Sequence, residues 1–223
     1  MVLENAASGQ SPVPVAFSLV EEINHRVVNE YSEAIASLNL AASRAGDNRL
    51  KAELANAAER LRDHAEAHRA LMPPRTAERE NIADYIGRIC NSFARATLAE
   101  RGLLLTLHTA DILLPASRCW RLGLIVAELI RNAARHGRFD STGRIMVHIA
   151  DHAGEVRCLV RDTGTARAKA EPGRGQGLIR ALVAELEGMV EWSFTAEGCL
   201  VLVRIPAKDD ERARDLIVAG ETL

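Results

Sequence analysis

A histidine in the first helix-forming segment has the polar neighbours of a nucleophile. Residues 22–29 read EINHRVVN, and a helix would bring Glu22 and Asn29 within one turn of His25. A carboxylate or amide bonded to one ring nitrogen fixes the tautomer and leaves the other nitrogen able to attack an electrophile. His25 is therefore a candidate nucleophile, although a surface histidine without a chemical role is the simpler interpretation of this segment alone.

A second polar cluster combines a carboxylate, an amide and a guanidinium. Residues 128–137 read ELIRNAARHG, which puts Glu128, Asn132 and Arg135 at i, i+4 and i+7. This spacing brings all three to one helical face. Such a face could hold hydrated Mg²⁺ and a polyphosphate, and a solvated face with incidental ion pairs would give the same pattern. Further positive charge is expected near this phosphate site from Arg131, Arg138 and Arg174.

Two glycine-containing segments could bind parts of a nucleotide. Asp162 ends a predicted strand and precedes Thr163-Gly164, so it could accept a hydrogen bond from an exocyclic amine while glycine admits a flat ring. Gly175 and Gly177 open a predicted helix, where free N–H groups and the helix dipole favour an anion. Each segment alone is weak support, because the chain has neither a P-loop nor a Rossmann glycine pattern.

Hydrophobic periodicity defines the elements that would position the histidine. Residues 1–15 lack periodicity and are expected to form a flexible arm. Apolar residues at three- and four-residue steps predict helices over 16–45 and 49–72. These helices would form an antiparallel hairpin over residues 16–74, ending at two prolines. Its apolar stripes are narrow, so we expect two copies to pair into a dimeric four-helix bundle through both helices.

The pattern beyond residue 74 is mixed. It predicts helices over 78–101, 117–137 and 176–187, and strands over 103–108, 144–150, 155–161, 189–195 and 199–205. The fold class is therefore α+β, with helices packed on a mainly antiparallel sheet over residues 75–206. A charged tail follows over residues 207–223.

Composition excludes several classes of protein. The 223 residues carry 28 Lys+Arg against 30 Asp+Glu, which lacks the basic excess of a dedicated nucleic-acid binder. The apolar runs are too short for a membrane span, which needs about 20 residues. The N-terminus shows no secretory signal, and the four cysteines never form C-x-x-C. We expect a cytoplasmic protein with reduced thiols, no membrane span and no nucleic-acid partner.

The order of the polar segments resembles the histidine kinases of two-component signalling over about residues 16–206. Residues 25–29, HRVVN, are similar to the phosphoacceptor box of the HisKA_2 class, and residues 128–137 to the N box. Asp162-Thr163-Gly164 is similar to the G1 box, and Gly175-Gln176-Gly177 to the G2 box. The resemblance implies a dimeric hairpin followed by a Bergerat-type ATP-binding α/β sandwich.

The resemblance also implies a reaction and the residues that carry it. ATP with Mg²⁺ would phosphorylate His25, and the phosphoryl group would pass to an Asp on a response-regulator receiver domain. Input would come from a separate sensor protein, or the kinase would be constitutively active. The implied binding residues are Asp162 and Gly164 for adenine, Asn132 for the metal with Glu128 acting through water, and Arg135, His136, Gly175 and Gly177 for the phosphates. The proton-accepting role would fall to Glu21 or Glu22, and Asn29 would orient the ring.

Two other functions remain open from the sequence. A histidine phosphotransfer protein would keep His25 and lose the nucleotide chemistry, which the short segment between Asp162 and Gly175 favours. A non-enzymatic dimeric interaction module would use the nucleotide site only for stability. His64 and His68, at i and i+4, could ligate a metal, but without an evident third ligand we expect a solvated helix face.

Overall fold

Two helices form the first part of the fold. The computed structural model describes residues 15–74, 78–139, 142–165 and 174–207. Helix α1 (Val15–Arg44) packs on α2 (Asn48–Ala70), which begins where the Asp47 carboxylate accepts a 2.9 Å hydrogen bond from the Arg49 N–H. The predicted hairpin helices are confirmed. The predicted arm falls outside the described residues except for Val15, which already belongs to α1.

The remaining elements form an α/β domain. They are β1 (Arg79–Asn81), α3 (Ile82–Phe93), β2 (Leu103–Thr109), β3 (Leu113–Pro115), α4 (Ala116–His136), β4 (Gly143–His152), β5 (Glu155–Asp162), α5 (Arg174–Glu185), β6 (Met189–Thr195) and β7 (Gly198–Pro206). The strands β2, β4, β5, β7 and β6 lie in that order in one sheet. The β2–β4 pair is parallel and the other three are antiparallel. This confirms the expected α+β fold with a mainly antiparallel sheet.

One face of the sheet is buried beneath the helices. Along β4, Ile145, Val147 and Ile149 are buried, whereas Arg144, before them, and His148, between the last two, are exposed. This alternation is typical of a strand with one face in the core. The buried face of α4 belongs to the same hydrophobic cluster, so that helix is held against the sheet with its polar side chains on the opposite face.

The helix predicted over 78–101 differs from the structure at both ends. Its first residues form β1, which pairs with β3, and α3 begins only after the Asn81 side chain accepts a 2.9 Å hydrogen bond from the Ala83 N–H. After Phe93 the chain continues as a π-helical turn over 94–98 and a 3-10 turn over 99–101. The capping amide and the pairing with β3 explain the late start.

The end of α2 is attached to the α/β domain. The indole N–H of Trp120 donates to the carbonyl oxygen of Leu71 at 2.8 Å, and the Tyr85 hydroxyl donates to that of Met72 at 3.2 Å. Two ion pairs of 3.3 Å also cross between the two parts, Arg95–Asp63 and Arg60–Glu100. The hairpin and the α/β domain are therefore packed together as well as joined by the chain.

The cysteines are free thiols. Cys90, Cys119 and Cys158 are buried and Cys199 is half-buried. Burial raises the pKa of the Cys90 thiol to about 12 and that of Cys199 to about 11, so neither is a thiolate nucleophile at neutral pH.

Within the described ranges, no helix has the length and apolarity that crossing a bilayer would need. The predicted tail lies outside the described residues beyond Ala207.

Two glycines with positive φ provide a test of the turn geometry. Gly154 has φ +84° and open space where a Cβ would stand, whereas Gly198 has φ +136° and a Cβ there would collide with the carbonyl oxygen of Asp162. We expect Gly154→Ala to lower the free energy of unfolding by about 1–2 kcal/mol from backbone strain alone. Gly198→Ala should lower it further, since the backbone must also move. Chemical denaturation measures both, and equal losses would contradict the collision.

Candidate active site

The second half of α4 is the centre of the candidate site. Leu129 and Ala133 are buried in the core, which fixes the helix and directs Glu128 and Asn132, both half-buried, to the opposite side. The predicted alignment at i and i+4 is therefore realised on a rigid element.

The first turn of α5 lies directly against this polar face. A Cβ on Gly175 would collide with Oε1 of Glu128 and stand 3.3 Å from Nδ2 of Asn132. Glycine is therefore what permits α5 to start so close to α4. The next glycine, Gly177, is exposed with open space beside it. The first N–H groups of a helix lack partners within the helix, so this turn offers donors to an anion beside the carboxylate and the amide.

The end of β5 supplies a buried carboxylate. Asp162 is buried, and its Oδ1 accepts hydrogen bonds from the N–H groups of Gly164 at 2.9 Å and Cys199 at 3.4 Å. Burial raises the pKa of Asp162, and the two N–H donors oppose that rise. Because both bonds engage Oδ1, Oδ2 is not committed to either, and it could accept an amine of a ligand. The Cys199 donor could not be found from sequence spacing.

The same strand end contacts the end of α4. A Cβ on Gly164 would stand 2.7 Å from the Cα of Gly137, and the N–H of Thr165 donates to the carbonyl oxygen of Arg138 at 2.9 Å. The segment around Asp162 and the first turn of α5 thus both contact α4. The last turn of α4 carries Arg135 and His136, and both side chains are exposed.

His25 belongs to the hairpin and not to this cluster of segments. It is half-buried on α1, with Val28 buried and Ile23 about half exposed. The carboxylate of Glu22 accepts a 2.8 Å hydrogen bond from Nε of Arg26, and Asn29 is exposed. The structure therefore separates the candidate phosphoacceptor from the candidate nucleotide-binding residues, which lie in the α/β domain.

Arg131, which the sequence analysis expects near the phosphate site, pairs with the carboxylate of Glu128 in that site. Its Nη1 donates to Oε2 of Glu128 at 2.8 Å, and its Cζ lies 5.5 Å from the centroid of the Phe93 ring. The i, i+3 spacing of the two charged residues was the sequence signal for this pair. Of the other expected arginines, Arg138 is exposed, and the side chain of Arg174 lies outside the described residues.

The two histidines of α2 do not form a solvated face. Both are half-buried against Tyr31 of α1, with ring centroids 6.3 Å away for His64 and 5.6 Å for His68. Burial lowers the pKa of His68, and the charges of Arg131 and His64 lower it further. Among the described residues, no group of three or more His, Cys, Asp or Glu is placed to hold a metal ion. The rings pack between helices because Tyr31 provides an apolar surface there.

The depressed pKa of His68 predicts a pH-dependent stability. As pH falls through 6.5, the ordinary value for histidine, the unfolded chain binds a proton before the folded chain does, so the free energy of unfolding falls. His68→Gln should reduce that fall between about pH 7.5 and about pH 5.5 in chemical denaturation. His108→Gln, at an exposed position of β2, is the matched control. An unchanged fall in the His68 variant would contradict the depressed pKa.

Family comparisons agree with this architecture. Residues 22–97 match the HisKA_2 family, described as histidine kinase. Residues 91–204, half of the chain, match the HATPase_c_2 family, described as histidine kinase-like ATPase domain. The chain therefore belongs to the histidine kinase family.

Two curated relatives are similar over most of this chain. Blue-light-activated histidine kinase 1 of Erythrobacter litoralis is 27% identical over 201 residues, which are 86% of this chain and 54% of that protein. Sensor histidine kinase PdtaS of Mycobacterium tuberculosis is 26% identical over 198 residues, 84% of this chain and 39% of that protein. The chain thus spans about half, or less, of the length of these relatives.

Solved structures share the fold. The histidine kinase domain of the Erythrobacter litoralis EL346 blue-light activated histidine kinase has a TM-score of 0.58 at 20% identity, covering 80% of this chain and 96% of that one. A bacterial phosphotransferase has a TM-score of 0.62 at 13% identity, covering 87% and 98%. These similarities confirm a helical hairpin followed by an α/β sandwich.

Proposed function

We propose that this chain is an ATP-dependent protein histidine kinase that phosphorylates His25 and passes the phosphoryl group to an Asp of a response-regulator receiver domain. The observation that carries the proposal is the close approach of two glycines to α4. Gly175 contacts Glu128 and Asn132, and Gly164 contacts Gly137. These contacts place three kinds of group around one helix: a carboxylate for the adenine base, oxygen ligands for a metal and N–H donors for phosphates.

At the adenine end, Asp162 accepts the exocyclic amine through Oδ2, and Gly164 allows the flat ring to approach the backbone. The buried position of Asp162 strengthens this hydrogen bond, since water does not compete for it. A base without the amine would bind more weakly, because the buried carboxylate would lose the donor to Oδ2 while keeping the two N–H donors to Oδ1.

At the phosphate end, Arg135, His136 and the N–H groups that lack partners at the start of α5, where Gly175 and Gly177 lie, bind the oxygens of the triphosphate. The amide oxygen of Asn132 and the carboxylate of Glu128 fit Mg²⁺, because both belong to the ligand types that this cation prefers. When bound, the cation neutralises charge on the phosphates during transfer. Asn132 would be its direct ligand, with Glu128 acting through water.

His25 is the nucleophile in this proposal. A nitrogen of the neutral imidazole attacks the γ-phosphorus in line, so that the new N–P bond forms as the P–O bond to the β-phosphate breaks and ADP leaves. Glu22 accepts the ring proton after its exposed ion pair with Arg26 opens, at a small cost because exposed pairs contribute little stability. Asn29, one turn later, orients the ring.

The free thiols support a cytoplasmic location for the reaction.

A second copy of the chain is the partner that we propose for the hairpin. Ile23 and Leu40 of α1 and Leu50 of α2 are each about half exposed. Pairing into a four-helix bundle would remove this apolar surface from water.

A second candidate function has its own support. The similarity to a bacterial phosphotransferase extends over 98% of that chain. A histidine phosphotransfer protein would use His25 in the same way but receive its phosphoryl group from another phosphoprotein.

Labelling with γ-labelled ATP and Mg²⁺ tests the kinase. Wild type is expected to acquire an acid-labile, base-stable label, His25→Gln none, and Asn132→Ala at a rate lower by about a hundredfold or more, since it removes a transition-state contact. His108→Gln, at an exposed position of β2, is the control and should label normally. A wild type that takes label only from a phosphorylated receiver domain would refute the kinase and support the phosphotransfer protein.

The dimer has a separate test. We expect analytical ultracentrifugation at micromolar concentration to give twice the 24.3 kDa chain mass. Leu40→Glu should shift the protein toward the monomer, because a carboxylate would be buried in the bundle. Leu104→Glu is the matched control, since Leu104 is equally exposed but lies on β2. A wild type of monomeric mass would refute the proposed dimer.

A further inference from the structure

The carboxylate of Glu128 is held from two sides. Its Oε2 accepts the 2.8 Å bond from Nη1 of Arg131, and its Oε1 faces Gly175 closely enough that a Cβ there would collide with it. The side chain of Glu128 is only 14% exposed. Rotation of the carboxylate would therefore break the bond to Arg131 and turn a different edge toward the first turn of α5.

Arg131 is in turn held by groups outside the candidate site. Its guanidinium lies over the ring of Phe93 at the end of α3, with 5.5 Å from Cζ to the ring centroid, a cation–π contact. Its charge also contributes to the lowered pKa of His68, which lies on α2. Arg131 thus lies where the hairpin, α3 and α4 meet.

We propose that Arg131 is a positioning residue for phosphoryl transfer, which holds Glu128 so that Oε1 is presented at the first turn of α5. The proposal rests on the kinase function proposed above. In this role Arg131 acts through Glu128 and does not itself contact the nucleotide. A planar, forked guanidinium suits both contacts, because it can lie over a ring while donating to a carboxylate in its plane.

A double-mutant cycle tests this role. Arg131→Met is expected to slow labelling of His25 at saturating ATP by between about ten- and a hundredfold, as expected for a misplaced group. The dissociation constant for ADP, measured by calorimetry, should change by less than about twofold, since the nucleotide contacts remain. In a Glu128→Gln background, Arg131→Met should have little further effect, because its action passes through that carboxylate. Arg131→Lys should recover part of the rate.

Arg69→Met is the matched control. Arg69 makes an i, i+3 ion pair of 2.6 Å with Glu66 on α2, but that carboxylate is 50% exposed. This variant should label at the wild-type rate, and the melting temperatures of all variants report whether they fold.

The contrary results separate the two proposals. A wild type that takes no label from ATP overturns the kinase function and the positioning role with it. A labelled wild type with an equally fast Arg131→Met variant overturns the positioning role alone. The positioning role is also overturned if Arg131→Met slows labelling by the same factor with and without Glu128→Gln. It is overturned as well if Arg131→Met weakens ADP binding by as large a factor as it slows labelling. In both cases Arg131 would act independently of Glu128.

Discussion

Three chain segments approach α4 at glycines, where any larger residue would push them away. Gly123 lies against the side chains of Tyr85 and Ile89 on α3, while Gly164 and Gly175 bring the end of β5 and the start of α5 to the other half of the helix. Close packing leaves no room for side chains at these contacts. The polar groups of the candidate site are therefore near one another because the residue at each of these three contacts has no side chain.

The residues of the candidate site differ in their exposure. Asp162 is buried at the end of β5, and the segment that follows it contacts the C-terminal end of α4. Arg135 and His136, in the last turn of the same helix, are exposed. Glu128 is half-buried two turns earlier, with Oε2 on the guanidinium of Arg131 and Oε1 against α5. In the proposed kinase, a buried carboxylate would select the base by its hydrogen-bond donors, and exposed cations would neutralise the phosphates.

The sequence predicted features that depend on local periodicity. The hairpin helices and the strands followed from the apolar spacing, and the polar face of Glu128 and Asn132 followed from i, i+4 geometry. Features that depend on distant neighbours were not predicted. The ring of Phe93 decides where Arg131 points, and Tyr31 decides that His68 is half-buried. Pairing of β1 with β3 likewise delays the start of α3, which periodicity alone had placed several residues earlier.

The hydrogen bonds that join the hairpin to the α/β domain determine which substitutions this contact can tolerate. Trp120 and Tyr85 both donate to main-chain carbonyl oxygens, those of Leu71 and Met72. Every amino acid offers the same acceptor, so replacing the half-buried Met72 leaves both bonds in place. Only the donors depend on side-chain identity. Substitutions at Met72 are therefore compatible with the hydrogen bonds, whereas replacing Trp120 or Tyr85 removes a donor, and Leu71 is constrained separately by its burial in the core.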